Sequence, residues 1–279
     1  MGYSFGGMSM MKFESLAWHR SIGKAIEELD QPDFWIKLVR LLSKHVHFES
    51  WVVLRFCDNE RPVVLAEISQ EDGLPDPLFE DYLNVLYLLD PFHIAAKDNR
   101  KEGVIHLDEV APDRFDSTEY CKRYFRINIV EDEIQFNCLL EQNATLCLSL
   151  GSHQKFTSID MTVLSLISQW VIPLMHQRWR YEVRTDAPEA FNKLLQVHMP
   201  NGPNAFRLID KLLSSRELEI SQLMLSGFSS KGIAQKLLIS PETVKVHRKH
   251  MYSKLGINSQ SELFSMFMNR AVKTSDRAG

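Results

Sequence analysis

The sequence predicts an α+β chain in which a helix-flanked antiparallel sheet, an α/β/α sandwich over residues 13–184, precedes a small all-α domain of four helices over 207–270. Three observations carry this reading. Apolar residues recur at helical spacing in both parts, two pairs of β-rich runs are each joined by a few polar residues, and the charge changes sign along the chain. Residues 1–206 hold 20 Lys and Arg against 30 Asp and Glu, whereas 207–279 hold 12 against 6. An acidic piece tied to a basic one confines any polyanionic partner to the carboxy-terminal piece. With 279 residues, 44% of them hydrophobic and 24% charged, the chain is long enough for two packed cores.

Residues 1–12, MGYSFGGMSMMK, lack a basic stretch followed by an apolar run and are expected to form a flexible leader rather than a secretory signal. From 13 to 46, Leu16, Ile22, Ile26 and Leu29, then Trp35, Leu38, Leu41 and Leu42, follow the helical period with a break at Gln31-Pro32, which predicts two helices. Trp51–Phe56 and Pro62–Ile68, joined by Cys57–Arg61, read as an antiparallel hairpin, and 132–140 with 145–150 repeats the pattern. Between the hairpins, Leu78–Asn99 is expected to be helical but interrupted at Asp90-Pro91, because a residue before proline is pushed out of the α region. Arg114–Phe125 reads as helix, and Ser158–Arg180 as a long amphipathic one. Helices around hairpins without βαβ alternation argue for one central antiparallel sheet of the GAF or PAS type. The proline-rich stretch 185–206 is the expected interdomain linker, and 271–279 the expected flexible tail.

Several function classes are disfavoured. The longest apolar runs, Trp51–Phe56 and Leu146–Leu150, fall far short of the roughly 18 residues of a membrane span. Cys57, Cys121, Cys138 and Cys147 form no CxxC pair, so no zinc ribbon, disulfide framework, metal or cofactor is expected, and a reducing cytoplasm fits best. No nucleophile elbow, phosphate-binding glycine loop or HExxH helix is present, which argues against an enzyme. His45 and His47 cannot share one helical face and read as structural, and Cys57 has no evident base. A phosphorylated receiver is excluded in this reading, since Trp51–Phe56 leads only to Asp58 in a hairpin loop.

The carboxy-terminal segment carries the strongest signal. Ser214 or Ser215 can cap a first helix ending near Gly227, and a second runs from Ser230 to Leu237. Ser240 then caps a third, with Pro241 at its first position and Glu242 favouring its dipole. That helix bears Lys245, His247, Arg248, Lys249, His250 and Lys254. A short turn leading into a basic helix is a helix-turn-helix. Val244, Met251 and Leu255 share one face, while Lys245 and Lys249 lie four apart on another, free to enter a major groove.

The matching stretches SSRELEI, GFSSKGIAQKL, ISPETVKVHRKHMYSKLG and INSQSEL resemble the LuxR/NarL-type helix-turn-helix of bacterial transcription regulators over residues 207–270. The resemblance implies base contacts from Lys245, Val246 and Lys249, and phosphate contacts from Lys231, Thr243, Arg248 and His247. It further implies a homodimer on a pseudo-palindromic double-stranded operator, with dimer contacts on the fourth helix from Leu263, Phe264 and Phe267. Leu238 stands at a turn position that is often glycine in the family.

A domain ahead of such a segment is expected to control it, by a small-molecule effector or a protein partner. Trp51, Tyr82, Tyr87, Asp90, Phe92, His93, Tyr124, Asp132 and Phe136 are the candidate effector-binding residues. Tyr87 with Asp90-Pro91 is similar to a pattern in acyl-homoserine-lactone sensors of the same family. The recurring mixture of acidic and aromatic residues suits an amine instead, because a carboxylate neutralises the cation and ring faces attract it.

Overall fold

A computed structural model describes residues 16–58, 60–67, 77–129, 131–141, 143–184 and 212–275. The expected leader and linker, and the last residues of the expected tail, lie outside that set. The chain opens with α1 (Leu16–Glu27) and α2 (Phe34–Leu42), then β1 (Ser50–Cys57) and β2 (Val63–Glu67). Helix α3 (Pro77–Asn84), a 3-10 turn at Leu86–Leu89 and α4 (Pro91–Asp98) replace the interrupted helix. Asp90 supplies the break: its backbone is extended while its carboxylate accepts the Phe92 N–H, capping α4 with Pro91 at the first position.

Strand β3 (Gly103–His106) and α5 (Leu107–Val110) follow. At four residues, β3 is too short to show a period, and it is recognised only by its pairing with β4. The expected helix over 114–125 is instead a 3-10 turn (Phe115–Ser117), a π-helix (Cys121–Phe125) and α6 (Arg126–Asn128). Thr118 divides them. Its hydroxyl donates to the Phe115 carbonyl at 2.7 Å and accepts the Cys121 N–H at 3.0 Å, offering the backbone a local alternative to a continuous helix.

Strands β4 (Asp132–Leu139) and β5 (Ala144–Ser152) complete a five-stranded sheet of order β2-β1-β5-β4-β3, antiparallel at every pairing. Helix α7 (Ser158–Arg184) covers one face. There Leu164, Ile167, Val171 and Met175 pack with Ile134, Phe136, Leu146, Leu148 and Leu150, each such side chain contributing about 2 kcal/mol. By length and composition α7 is the one described helix able to cross a membrane. Here it is the core helix of the sandwich. The opposite face lies beneath the 3-10 turn, α4 and the π-helix.

The second domain comprises α8 (Ser215–Leu225), α9 (Ser230–Lys236), α10 (Pro241–Leu255) and α11 (Gln260–Ser275). Each turn has its chemistry. Ser214 and Glu217 form a capping box on α8, the Ser229 and Ser240 hydroxyls cap α9 and α10, and Gly256 ends α10 in the left-handed region at φ 65°. Helix α11 runs to Ser275, so the expected tail is helical over its first residues.

The two domains touch. The Arg114 N–H donates to the Gly227 carbonyl at 3.0 Å, and Asp98 pairs with Lys236 at 2.6 Å. A Cβ at Gly227 would lie 2.6 Å from Thr118, so only glycine fits the seam.

Candidate functional site

Two regions collect the candidate residues. On α10, Val244 and Met251 are buried against α8 and α9, which turns Lys245, Val246 and Lys249 outward. Val246 is 52% exposed, an apolar side chain left on the surface between two cations. The Lys245 ammonium stands 3.8 Å from Glu242 and remains largely exposed, while Arg248 donates to Ser230 Oγ at 3.3 Å and is held along α9. Thr243 sits at the capped end with its Oγ1 2.9 Å from Ser240 Oγ, and Lys231 is exposed on α9. His247 is half-buried. Lys254 is engaged elsewhere, pairing with Glu217 at 2.7 Å. The exposed cations Lys245 and Lys249 lie along a single helix, an element that a major groove admits.

Leu263, Phe264 and Phe267 of α11 are buried within this chain, Phe264 beneath the Arg123 guanidinium at 5.5 Å. Core packing accounts for their apolar character. In this arrangement they offer no exposed face to a second copy.

The second region lies between the sheet and the helices opposite α7. Tyr82 donates its hydroxyl hydrogen to Asp90 Oδ2 at 2.6 Å, and the Phe92 N–H donates to Asp90 Oδ1 at 2.8 Å. Tyr82 stacks on Tyr124 with centroids 5.2 Å apart, and Tyr124 meets Tyr120 at 5.5 Å. The facing strand positions are polar and buried: Glu133, Gln135 and Asn137 on β4, Ser149 on β5. Gln135 Nε2 donates to Ser149 Oγ at 2.7 Å, whereas Gln135 Oε1 and Asn137 Oδ1 have no hydrogen-bond partner.

Burial raises the Asp90 carboxyl to about 6, against the opposing pull of the Tyr82 and backbone hydrogen bonds. Burial and then the Asp90 charge push Glu133 well above the usual carboxylate range. Tyr82 is raised by the same two causes. No described cation forms an ion pair with either carboxylate. Two buried acids with unpaired amide oxygens and tyrosine faces nearby have the composition of a receptor for a hydrogen-bond-donating cation.

The structure brings together Tyr82, Asp90 and Tyr124 of the expected set. Tyr87, Phe92 and His93 adjoin them, Tyr87 and Phe56 each edge-on to His93 at 5.0 and 5.1 Å. Burial drives the His93 imidazole down to about 4, and its Nδ1 lacks a partner. Trp51, Asp132 and Phe136 do not belong to this region. They point to the α7 side, where Asp132 accepts from His106 Nε2 and the Phe156 N–H, each at 2.9 Å. Side chains alternate along a strand, so choosing Asp132 over Glu133 moves the carboxylate to the wrong face. Tyr120, Gln135 and Ser149 are further members outside the candidate set read from the sequence; parity opposite to that of Ile134 and Phe136 on β4 is the signal that identifies Glu133 and Gln135.

Residues 211–267 match the family model described as bacterial regulatory proteins, luxR family. An HTH-type transcriptional regulator from the exeN 3′ region of Aeromonas salmonicida is 28% identical over 191 residues, 66% of this chain and 95% of that protein. The oxygen regulatory protein NreC of Staphylococcus aureus is 49% identical over 62 residues, 22% of this chain and 29% of its own length. The crystal structure of the VqsR LBD domain from Pseudomonas aeruginosa superposes with a TM-score of 0.56 at 38% identity, covering 60% of this chain and 98% of that one.

Proposed function

Since residues 211–267 form a DNA-binding domain of the luxR family of bacterial regulatory proteins, we propose that the chain is a one-component transcription regulator whose amino-terminal domain senses a small cationic metabolite, an amine or a relative of one. The observation that carries the ligand reading is the buried carboxylate pair Asp90 and Glu133, beside an amide oxygen on Gln135 that lacks a partner. A cationic donor entering there favours the ionised form of both acids, pairs with them and satisfies the oxygen, whereas a lactone or fatty acyl group offers the acids no counter-charge.

On the DNA side, Lys245, Val246 and Lys249 read base edges, and Lys231, Thr243, His247 and Arg248 hold the backbone. The working form is a cytoplasmic homodimer on an inverted repeat with half-sites about one helical turn apart. Selection from randomised duplexes tests this part. An enriched inverted repeat supports it, and enrichment of a single half-site or of no motif overturns it.

A further inference from the structure

The segment from Asp113 to Phe125 has two sides. One faces the buried polar region: Tyr120 and Tyr124, the latter within the π-helix, stack beside Tyr82 and Asp90. The other meets the DNA-binding domain. Asp113 Oδ1 accepts the Ser229 N–H at 3.0 Å, the Arg114 N–H reaches Gly227, Glu119 Oε1 lies 3.4 Å from Ser261 Oγ, and Arg123 covers Phe264. Asp98, on neighbouring α4, holds Lys236. The acidic domain thus places carboxylates on donors of α9, the first helix of the helix-turn-helix, which crosses the DNA backbone when such a motif binds. Docked this way, the Ser229 N–H and the Lys236 ammonium are engaged by sensor carboxylates on the helix that a DNA backbone must approach, so docking and DNA binding oppose one another.

Occupancy of the polar region bears on that contact. Tyr82, Tyr120 and Tyr124 are buried, and the Tyr82 hydroxyl already holds Asp90, so a ligand reaching the carboxylates must displace rings. Two of those rings belong to the π-helix or its cap. A π-turn carries one residue more than an α-turn and is often found at functional sites. Reverting it to α register rotates the flanking side chains by about 100° relative to one another.

We propose that Asp113–Phe125 is a clamp: with the polar region empty it docks the DNA-binding domain through Asp113, Glu119 and Arg123, and a ligand displacing Tyr120 and Tyr124 releases that domain to bind DNA. The second half rests on the sensing function proposed above; the docking half does not.

The test uses the full chain without ligand. Asp113→Ala combined with Arg123→Ala removes clamp contacts and touches no residue assigned to DNA. Hydrogen exchange over residues 226–232 reports docking, and anisotropy of a labelled mixed-sequence duplex reports affinity. The expected result is lost protection together with DNA binding about tenfold tighter, the size of an ordinary allosteric coupling. Lost protection at unchanged affinity overturns the competition, and retained protection overturns the clamp. Tyr120→Trp overfills the polar region, and deletion of the exposed Lys122 removes the extra residue of the π-turn by an independent route. Both are expected to unprotect residues 226–232; protection retained in whichever variant folds overturns the link to the polar region. Because no ligand enters these measurements, a failed search for an effector leaves their outcome standing.

Discussion

Tyr82 and Asp90 share a hydrogen bond of 2.6 Å within the sensor domain, and both residues are buried. The bond lowers the cost of the buried carboxylate without cancelling it, since Asp90 still titrates at about 6. A carboxyl raised in the folded state contributes stability that is full below its unfolded value of 3.8 and is lost as pH rises through about 6. The unliganded protein is therefore expected to lose up to about 3 kcal/mol between pH 4 and 7.5 from this group. Urea unfolding across that range checks it, with Asp90→Asn expected to flatten the profile and to be the more stable form at pH 7.5.

Leu238 occupies the turn between α9 and α10 with φ 54° and 92% of its surface exposed. A branched side chain in the left-handed region costs about 1 kcal/mol and nothing packs on it in return. Leu238→Gly is expected to stabilise the protein by about that amount, read as a higher urea midpoint at unchanged slope. A fall in the midpoint would show that Leu238 packs in solution.

Phe267 is fully buried in the DNA-binding domain. Truncation to Ala is expected to cost about 3–5 kcal/mol through the cavity it leaves. The loss should not depend on protein concentration. A concentration-dependent loss would instead place Phe267 at a subunit interface.

Much of this was legible in the sequence. The helix-turn-helix follows from local chemistry alone: Ser214, Ser229 and Ser240 cap, Pro241 starts and Gly256 stops its helices, so a short window contains the answer. The hairpins were equally legible because alternation and turn residues are local. Strand β3 was not, having only four residues and a partner some thirty positions away. Glu133 and Gln135 escaped for another reason: the polar–apolar alternation of β4 is that of a strand with one wet face, and the pattern alone does not place the polar side under the helices opposite α7. Thr118 converts an apparent helix into a broken one by a hydroxyl contact that periodicity cannot register.

Lys249 and Lys231 separate reading from holding. Lys249→Ala is expected to relax base preference at one position by about 1–3 kcal/mol. Lys231→Ala should weaken binding to all sequences alike and reduce the salt dependence by about one phosphate contact. Competition assays with single-base operator variants distinguish the two, and preserved specificity in Lys249→Ala removes it from the reading set.

The central claim is that a cationic metabolite occupies the region between Asp90, Glu133 and the tyrosines. Thermal unfolding of the full chain against panels of polyamines and other amines, amino acids, acyl-homoserine lactones and aromatic acids tests it directly. An amine at about 100 times its dissociation constant is expected to stabilise the protein by about 2.7 kcal/mol, and Glu133→Gln to abolish the effect. Stabilisation by acyl-homoserine lactones alone, or by no member of any panel, would contradict the claim.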